Sequence, residues 1–152
     1  MPPQEPNNAW RDRFTEPTED QLTEELVAAE TGAEPFAELR NELRDTLELD
    51  EILGWNGIPW RWSFAFHTDK TQDPIAYLVP EPGRPQFCCR LPVDAADEIA
   101  ASKPSRIVRE GLARGSLVGS TLWTEWDLGP TTRAQDLAAL VKVVVNHQAN
   151  AR

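Results

Sequence analysis

The chain has 152 residues, of which 40% are hydrophobic and 26% charged, and its net charge at pH 7 is −10. This composition is typical of one soluble globular domain that needs no disulfides to bury a core. The negative charge argues against non-specific binding to nucleic acid or to an anionic membrane, because that affinity comes from Lys and Arg side chains that meet phosphate groups.

The excess of negative charge lies in the N-terminal third. The first 54 residues hold 15 acidic and 4 basic side chains, whereas the rest of the chain holds 10 and 11. No apolar segment like that of a signal peptide occurs near the start. The longest apolar run, near Leu137 to Val145, is too short to span a bilayer. We therefore expect a cytoplasmic protein.

Residues 1–14 contain three Pro and show no hydrophobic period. They are predicted to form a flexible tail that precedes a single domain of residues 15–152. Thr18 and Gln21 have the spacing of a capping box, which predicts the start of a first helix.

A second helix is predicted from Pro35, because proline favours the first helical turn. Its apolar stripe consists of Phe36, Leu39, Leu43 and Leu47. Its acidic side chains also recur at helical spacing: Glu34, Glu38, Glu42 and Asp45. This acidic stripe is a candidate surface for a protein partner or a mimic of nucleic-acid phosphates, and the alternative is a solubilising surface.

Three strands are predicted between residues 55 and 91, which hold three of the six Trp, three of the five Phe, the only Tyr and both Cys. Alternation with a period of two predicts one inward, aromatic face. The members of that face are Trp60, Trp62, Phe64 and Phe66, then Ile75, Tyr77 and Val79, then Phe87, Cys89 and Leu91. The short connections predict an antiparallel meander.

The C-terminal part is predicted to contain a helix from Asp94 that is broken at Pro104, a fourth strand, and a last helix. In the fourth strand, Trp123 and Trp126 fall on opposite faces of a regular strand. One of them is therefore exposed, where it can stack on a ring of a ligand, unless a bulge re-aims it. The predicted fold class is α+β, with a four-stranded, mainly antiparallel sheet and N-terminal, central and C-terminal helices that cover one face.

Three short motifs of the chain resemble motifs of a known family. They are Pro17-Thr18-Glu19-Asp20-Gln21, Trp62-Ser63, and Tyr77-Leu78-Val79-Pro80. With these motifs, residues 14 to 148 resemble a family of small bacterial α+β domains that is catalogued only as a domain of unknown function. Arg61 stands where that family often has Gly before Trp-Ser. The resemblance implies one compact domain and no established catalytic residue.

The outer sheet face is the candidate ligand-binding surface. Alternation places on it the polar side chains Arg61, Ser63, His67, Gln86, Cys88 and Arg90. Two guanidinium groups beside hydroxyl, amide and imidazole groups can bind a small anionic ligand or an acidic partner. The alternative is an ordinary solvated sheet face.

Signatures of known catalytic chemistry are missing from the sequence. It contains no GxGxxG, Walker or GxSxG motif, and its two histidines, His67 and His147, are far apart. Adjacent Cys88 and Cys89 match neither a zinc motif nor favourable disulfide geometry. No catalytic residue, metal site or cofactor is predicted.

The sequence favours a non-enzymatic domain that binds an unknown protein or a small anionic ligand. Direct binding to nucleic acid or to a membrane is not expected. The alternatives are a small enzyme that uses Arg61, His67, Cys88 and Arg90, and an acidic inhibitor that mimics nucleic acid through its N-terminal helices.

Overall fold

The computed structural model describes residues 8–69 and 73–150. Within these ranges the helices are α1 (Glu19–Ala29), α2 (Ala33–Asn41), α3 (Val93–Ala101), α4 (Arg106–Ala113) and α5 (Ala134–Asn150), and a π-helical turn (Glu42–Thr46) continues α2. The strands are β1 (Asp50–Trp55), β2 (Trp62–His67), β3 (Ala76–Val79), β4 (Gln86–Pro92), β5 (Ser116–Val118) and β6 (Thr121–Asp127).

All strands form one antiparallel sheet in the order β1-β2-β3-β4-β6-β5. The fold is α+β, but the prediction of a four-stranded sheet is wrong, because β1 and β5 complete a six-stranded one. Both additional strands are edge strands. In β1 only Ile52 is exposed and the other residues are half-buried, while β5 has only three residues, all exposed. Neither pattern shows the alternation that reveals a strand in a sequence.

The hydrophobic core lies between the helices and one face of the sheet, here named the inner face. The register places Phe64, Leu78, Phe87 and Trp126 in one row across four strands. Phe36 of α2 contacts Phe64 with ring centroids 6.2 Å apart, and Trp126 stacks on Phe87 at 5.8 Å. The helices therefore cover the aromatic row.

Two details of the predicted inward face are wrong. Because Phe64 pairs with Leu78, it is Ala76 and Leu78 that face inward from β3, and Tyr77 and Val79 of the predicted face point outward. Trp60 precedes β2, and its ring lies against Tyr77 at 4.7 Å on the outer side. Between Trp60 and β2, Arg61 has φ 56°, in the left-handed region, and this conformation interrupts the alternation.

Trp10 anchors the start of the described chain. Its ring is buried, and its indole N–H donates to the Trp60 carbonyl at 3.1 Å. The indole N–H of Trp62 donates in turn to the Asp12 carbonyl at 2.6 Å. Phe14, two residues further on, is 93% exposed. Residues 1–7 of the predicted tail lie outside the described residues.

Local signals at the helix ends agree with the structure. The Thr18 hydroxyl accepts from the Gln21 N–H at 3.1 Å, and the Gln21 side chain accepts from the Thr18 N–H at 2.9 Å, which confirms the capping box. Pro104 separates α3 from α4, as predicted, and the Ser105 hydroxyl caps α4.

Candidate functional site

The sheet register shows which outer-face residues are neighbours. Tyr77 of β3 pairs with Cys88 of β4, and Cys88 pairs with Glu125 of β6. Arg90 pairs with Trp123. His67 is on β2, so β3 lies between it and Cys88, and two strand spacings amount to about 10 Å. His67 and Cys88 are therefore not a hydrogen-bonded pair.

Three of the six sequence-predicted ligand residues are buried. Ser63 is fully buried, and its hydroxyl accepts from the Asn56 side-chain amide at 2.7 Å. His67 is buried on the same strand, and Cys88 is 1% exposed. Burial raises the pKa of the Cys88 thiol, and the Glu125 carboxylate and Cys89 raise it further. A buried, protonated thiol is a poor nucleophile.

The two arginines of the predicted site contact aromatic rings. The Arg61 guanidinium lies 5.5 Å from the centroid of the Trp10 ring, and that of Arg90 lies 5.5 Å from the centroid of the Trp123 ring. An Nη of Arg90 is also 3.9 Å from the Asp73 carboxylate. Among the described residues, the buried Arg90 Nε has no hydrogen-bond partner. Both cations therefore lie within cation–π distance of an aromatic ring.

Two cavities of about 290 and 300 Å³ open on the outer face. Both are lined by Trp60, Arg84, Gln86 and Glu125, so they share a wall, and together they are named the trough. The first cavity extends to Trp123, Ser116 and Arg114, and the second to Arg61 and Glu81. Of the six predicted residues, Gln86 and Cys88 line the first cavity, and Arg61 and Gln86 line the second.

Aromatic rings and both signs of charge meet in the trough. Trp60 lies 4.7 Å from Tyr77 and 6.5 Å from Trp123, measured between ring centroids. Asp127 is paired, because it accepts from Gln86 at 2.8 Å and lies 3.4 Å from Arg84. The exposed Glu125 carboxylate forms no ion pair or hydrogen bond with any described residue.

Sequence reasoning missed Trp60, Arg84 and Glu125 among the trough residues, and it named Trp123 only as one of two tryptophans that could be exposed. The period of two predicts Trp60 on the inner face only because it is extended past Arg61. The clearest sequence signal for the trough is the pair of tryptophans in β6, because a regular strand places them on opposite faces. The strand is regular, so Trp126 enters the core, where it is 2% exposed, and Trp123 lies half-buried at the trough.

The acidic stripe lies elsewhere on the molecule. Glu34, Glu38 and Asp45 are exposed and Glu42 is half-buried. Within the described part of the chain, none of the four forms an ion pair. The stripe belongs to α2 and the π-helical turn, which pack on the inner side of the sheet, whereas the trough is on the outer side.

Residues 8–69 and 73–150 contain no group of three or more His, Cys, Asp or Glu side chains placed to bind a metal ion. In the same ranges, no helix has the length and apolar character that crossing a membrane requires.

Comparison with known proteins identifies no relative. No protein-family model, curated protein or solved structure matches the chain. The resemblance to a small bacterial family therefore stays a prediction.

Proposed function

We propose that this protein is a non-enzymatic binding domain whose ligand, a protein segment or a small anionic molecule, occupies the trough. The observation that carries the proposal is the position of Trp60. Its ring lines both cavities and lies beside Tyr77 and Trp123, so a concave polar site has an aromatic wall. Aromatic surface with a few polar groups is typical of ligand sites.

The segment that carries Trp60 is held in place from two sides. Trp10 donates to the Trp60 carbonyl, and the Asn56 N–H donates to the Arg61 carbonyl at 2.9 Å. The Asn56 side chain also ties this segment to Ser63 of β2. A site that is already ordered loses less conformational entropy when its ligand binds, which supports a binding role.

The side chains of the trough support binding better than catalysis. The Cys88 thiol is buried and protonated, and His67 lies two strands away from it. Arg61, Arg84 and Arg114 supply guanidinium groups for an anionic ligand. Glu125 supplies an unpaired carboxylate beside these cations. A ligand that carries both charges, such as a protein segment, can therefore pair with both.

A blocking substitution tests the proposal without knowledge of the ligand. Ser116 is exposed and lines the first cavity, so Ser116→Trp should fill it. Ser120 is exposed in the turn of the same hairpin and does not line the trough, so Ser120→Trp is the matched control. We expect a ligand found by a thermal-shift screen of small anions and peptide pools to stabilise the wild type and Ser120→Trp, but not Ser116→Trp.

Equal stabilisation of both variants would place the ligand outside the first cavity and contradict the proposal for that part of the trough. A screen in which no anion and no peptide pool shifts the unfolding temperature would count against the proposal as a whole.

A further inference from the structure

Only half of β6 is covered by a neighbour on its β5 side. β5 covers β6 only from Thr121, which pairs with Val118, to Trp123, which pairs with Ser116. The chain leaves the sheet edge at Gly115, where an added Cβ would lie 3.1 Å from the Trp123 carbonyl oxygen. From Thr124 to Asp127, β6 has β4 on one side and no strand on the other among the described residues.

The hydrogen bonds define which backbone groups face this open edge. The Leu128 N–H donates to the Pro85 carbonyl at 2.8 Å, so the even-numbered residues of β6 point their backbone groups toward β4. Glu125 and Asp127 consequently point theirs the other way. In the described chain neither N–H has a partner, and the only bond on this side is from the Thr132 hydroxyl to the Asp127 carbonyl, at 3.4 Å.

The open edge and the trough coincide. Thr124, Glu125 and Asp127 all line the first cavity, together with Ser116, the first residue of β5, which pairs with Trp123 next to the open stretch. An open stretch of four residues is about 13 Å long. Unpaired strand edges are templates for a further strand, and several peptide-binding domains bind their ligands in this way.

From this juxtaposition we infer that the ligand of the trough is an extended peptide segment of another protein that adds to the open edge of β6. The inference rests on the proposed function, because it names the class of ligand for the same site. The peptide hydrogen-bonds the backbone of Glu125 and Asp127 and continues the line of β5. Its outward side chains contact Trp123 and Trp60.

Charge specifies one position of the peptide. A residue that pairs with Glu125 projects its side chain on the same face, beside the unpaired Glu125 carboxylate and the rings of Trp123 and Trp60. A Lys or Arg there satisfies the carboxylate and gains cation–π contacts. The preferred peptide therefore carries a basic residue opposite Glu125.

The test uses the full chain and two probe sets: an immobilised library of linear ten-residue peptides, and a panel of inorganic phosphate, nucleotides and aromatic carboxylates. We expect peptides with a Lys or Arg to bind and the small anions not to bind. Amide hydrogen exchange then locates the contact. With a saturating peptide, the Glu125 and Asp127 amides should exchange at least tenfold more slowly.

Two variants separate the backbone from the side chain. Glu125→Pro removes the carboxylate and also an N–H that β4 does not use, so it should weaken the binding of basic and of acidic peptides alike, at least tenfold. Glu125→Lys keeps that N–H and should reverse the preference from basic to acidic peptides. If Glu125→Pro does not fold, amide exchange of the wild-type chain still shows whether the peptide pairs with the backbone of Glu125 and Asp127.

Each contrary result is distinct. Binding of small anions alone, blocked by Ser116→Trp, overturns the peptide inference and leaves the proposed function in place. Peptide binding without protection of Glu125 and Asp127 overturns edge pairing. Protection of these amides by self-association assigns the edge to a second copy of the chain and overturns the inference. If neither probe set binds, both proposals fail.

Discussion

Cys88 illustrates how burial decides the chemistry of a single residue. By sequence it belongs, with Arg61, His67 and Arg90, to the alternative hypothesis of a small enzyme on the outer face. In the structure it lies beneath the trough and is 1% exposed, and burial raises its thiol pKa. Since the thiolate is the reactive form, a raised pKa keeps the thiol protonated and unreactive at neutral pH.

Thiol labelling checks this conclusion. We expect neither Cys88 nor Cys89 to react with a disulfide reagent in the folded protein between pH 7 and 9, because burial raises the pKa of both thiols. Two thiols should become reactive when the protein is unfolded in guanidinium. Rapid labelling of one thiol in the native state at pH 7 would contradict the burial of Cys88 and revive the enzyme hypothesis.

At the scale of elements, the contact between α4 and β6 supports one end of the trough. Gly111 of α4 lies against the Trp126 ring, and the Trp126 indole N–H donates to the Ile107 carbonyl of α4 at 2.9 Å. The same helix leads into Arg114 and Gly115, which bring the chain back to the sheet edge. Close packing at Gly111 therefore positions the wall of the first cavity.

Gly111→Ala should destabilise the protein. The new Cβ would lie 2.1 Å from the Trp126 indole. Overpacking of this kind costs about 1–3 kcal/mol, and over most of that range the cost exceeds the roughly 1 kcal/mol that Ala gains over Gly in a helix. Gly129→Ala is the matched control, because a Cβ at Gly129 meets nothing within 4 Å. Urea unfolding should show a lower midpoint for Gly111→Ala only, and equal midpoints would refute the close packing.

Another contact between elements joins α2 to β1. Arg40 donates to the Glu51 carboxylate through two nitrogens, at 2.7 and 2.8 Å, and its guanidinium lies 4.5 Å from the centroid of the Phe64 ring. The Glu51 carboxylate raises the pKa of Arg40 further above its ordinary value. This bidentate pair explains how an edge strand with a weak hydrophobic pattern is attached to the helical layer.

At the scale of the whole molecule, Trp62 joins the sheet, the core and the N-terminal segment. It is 8% exposed, packs edge-on against Trp55 at 5.7 Å, and donates to the Asp12 carbonyl. Trp62→Ala should therefore lower the free energy of unfolding by about 3–5 kcal/mol, through lost transfer energy and the cavity left behind.

Chemical denaturation followed by circular dichroism measures this loss. Phe14→Ala is the control, because Phe14 is 93% exposed and its removal should change the free energy of unfolding by less than about 0.5 kcal/mol. A loss below about 1 kcal/mol for Trp62→Ala would mean that Trp62 does not belong to the core.

The sequence by itself determined the α+β class, the capping box at Thr18, the break at Pro104 and the inward position of Phe64, because each depends on local spacing or backbone preference. Only the tertiary structure decided the six-stranded sheet and the trough. Edge strands carry weak alternation, and strand pairing sets which face Tyr77 takes. The positive φ of Arg61, which brings Trp60 to the outer face, has no local signal, because Arg is not a residue that favours that region.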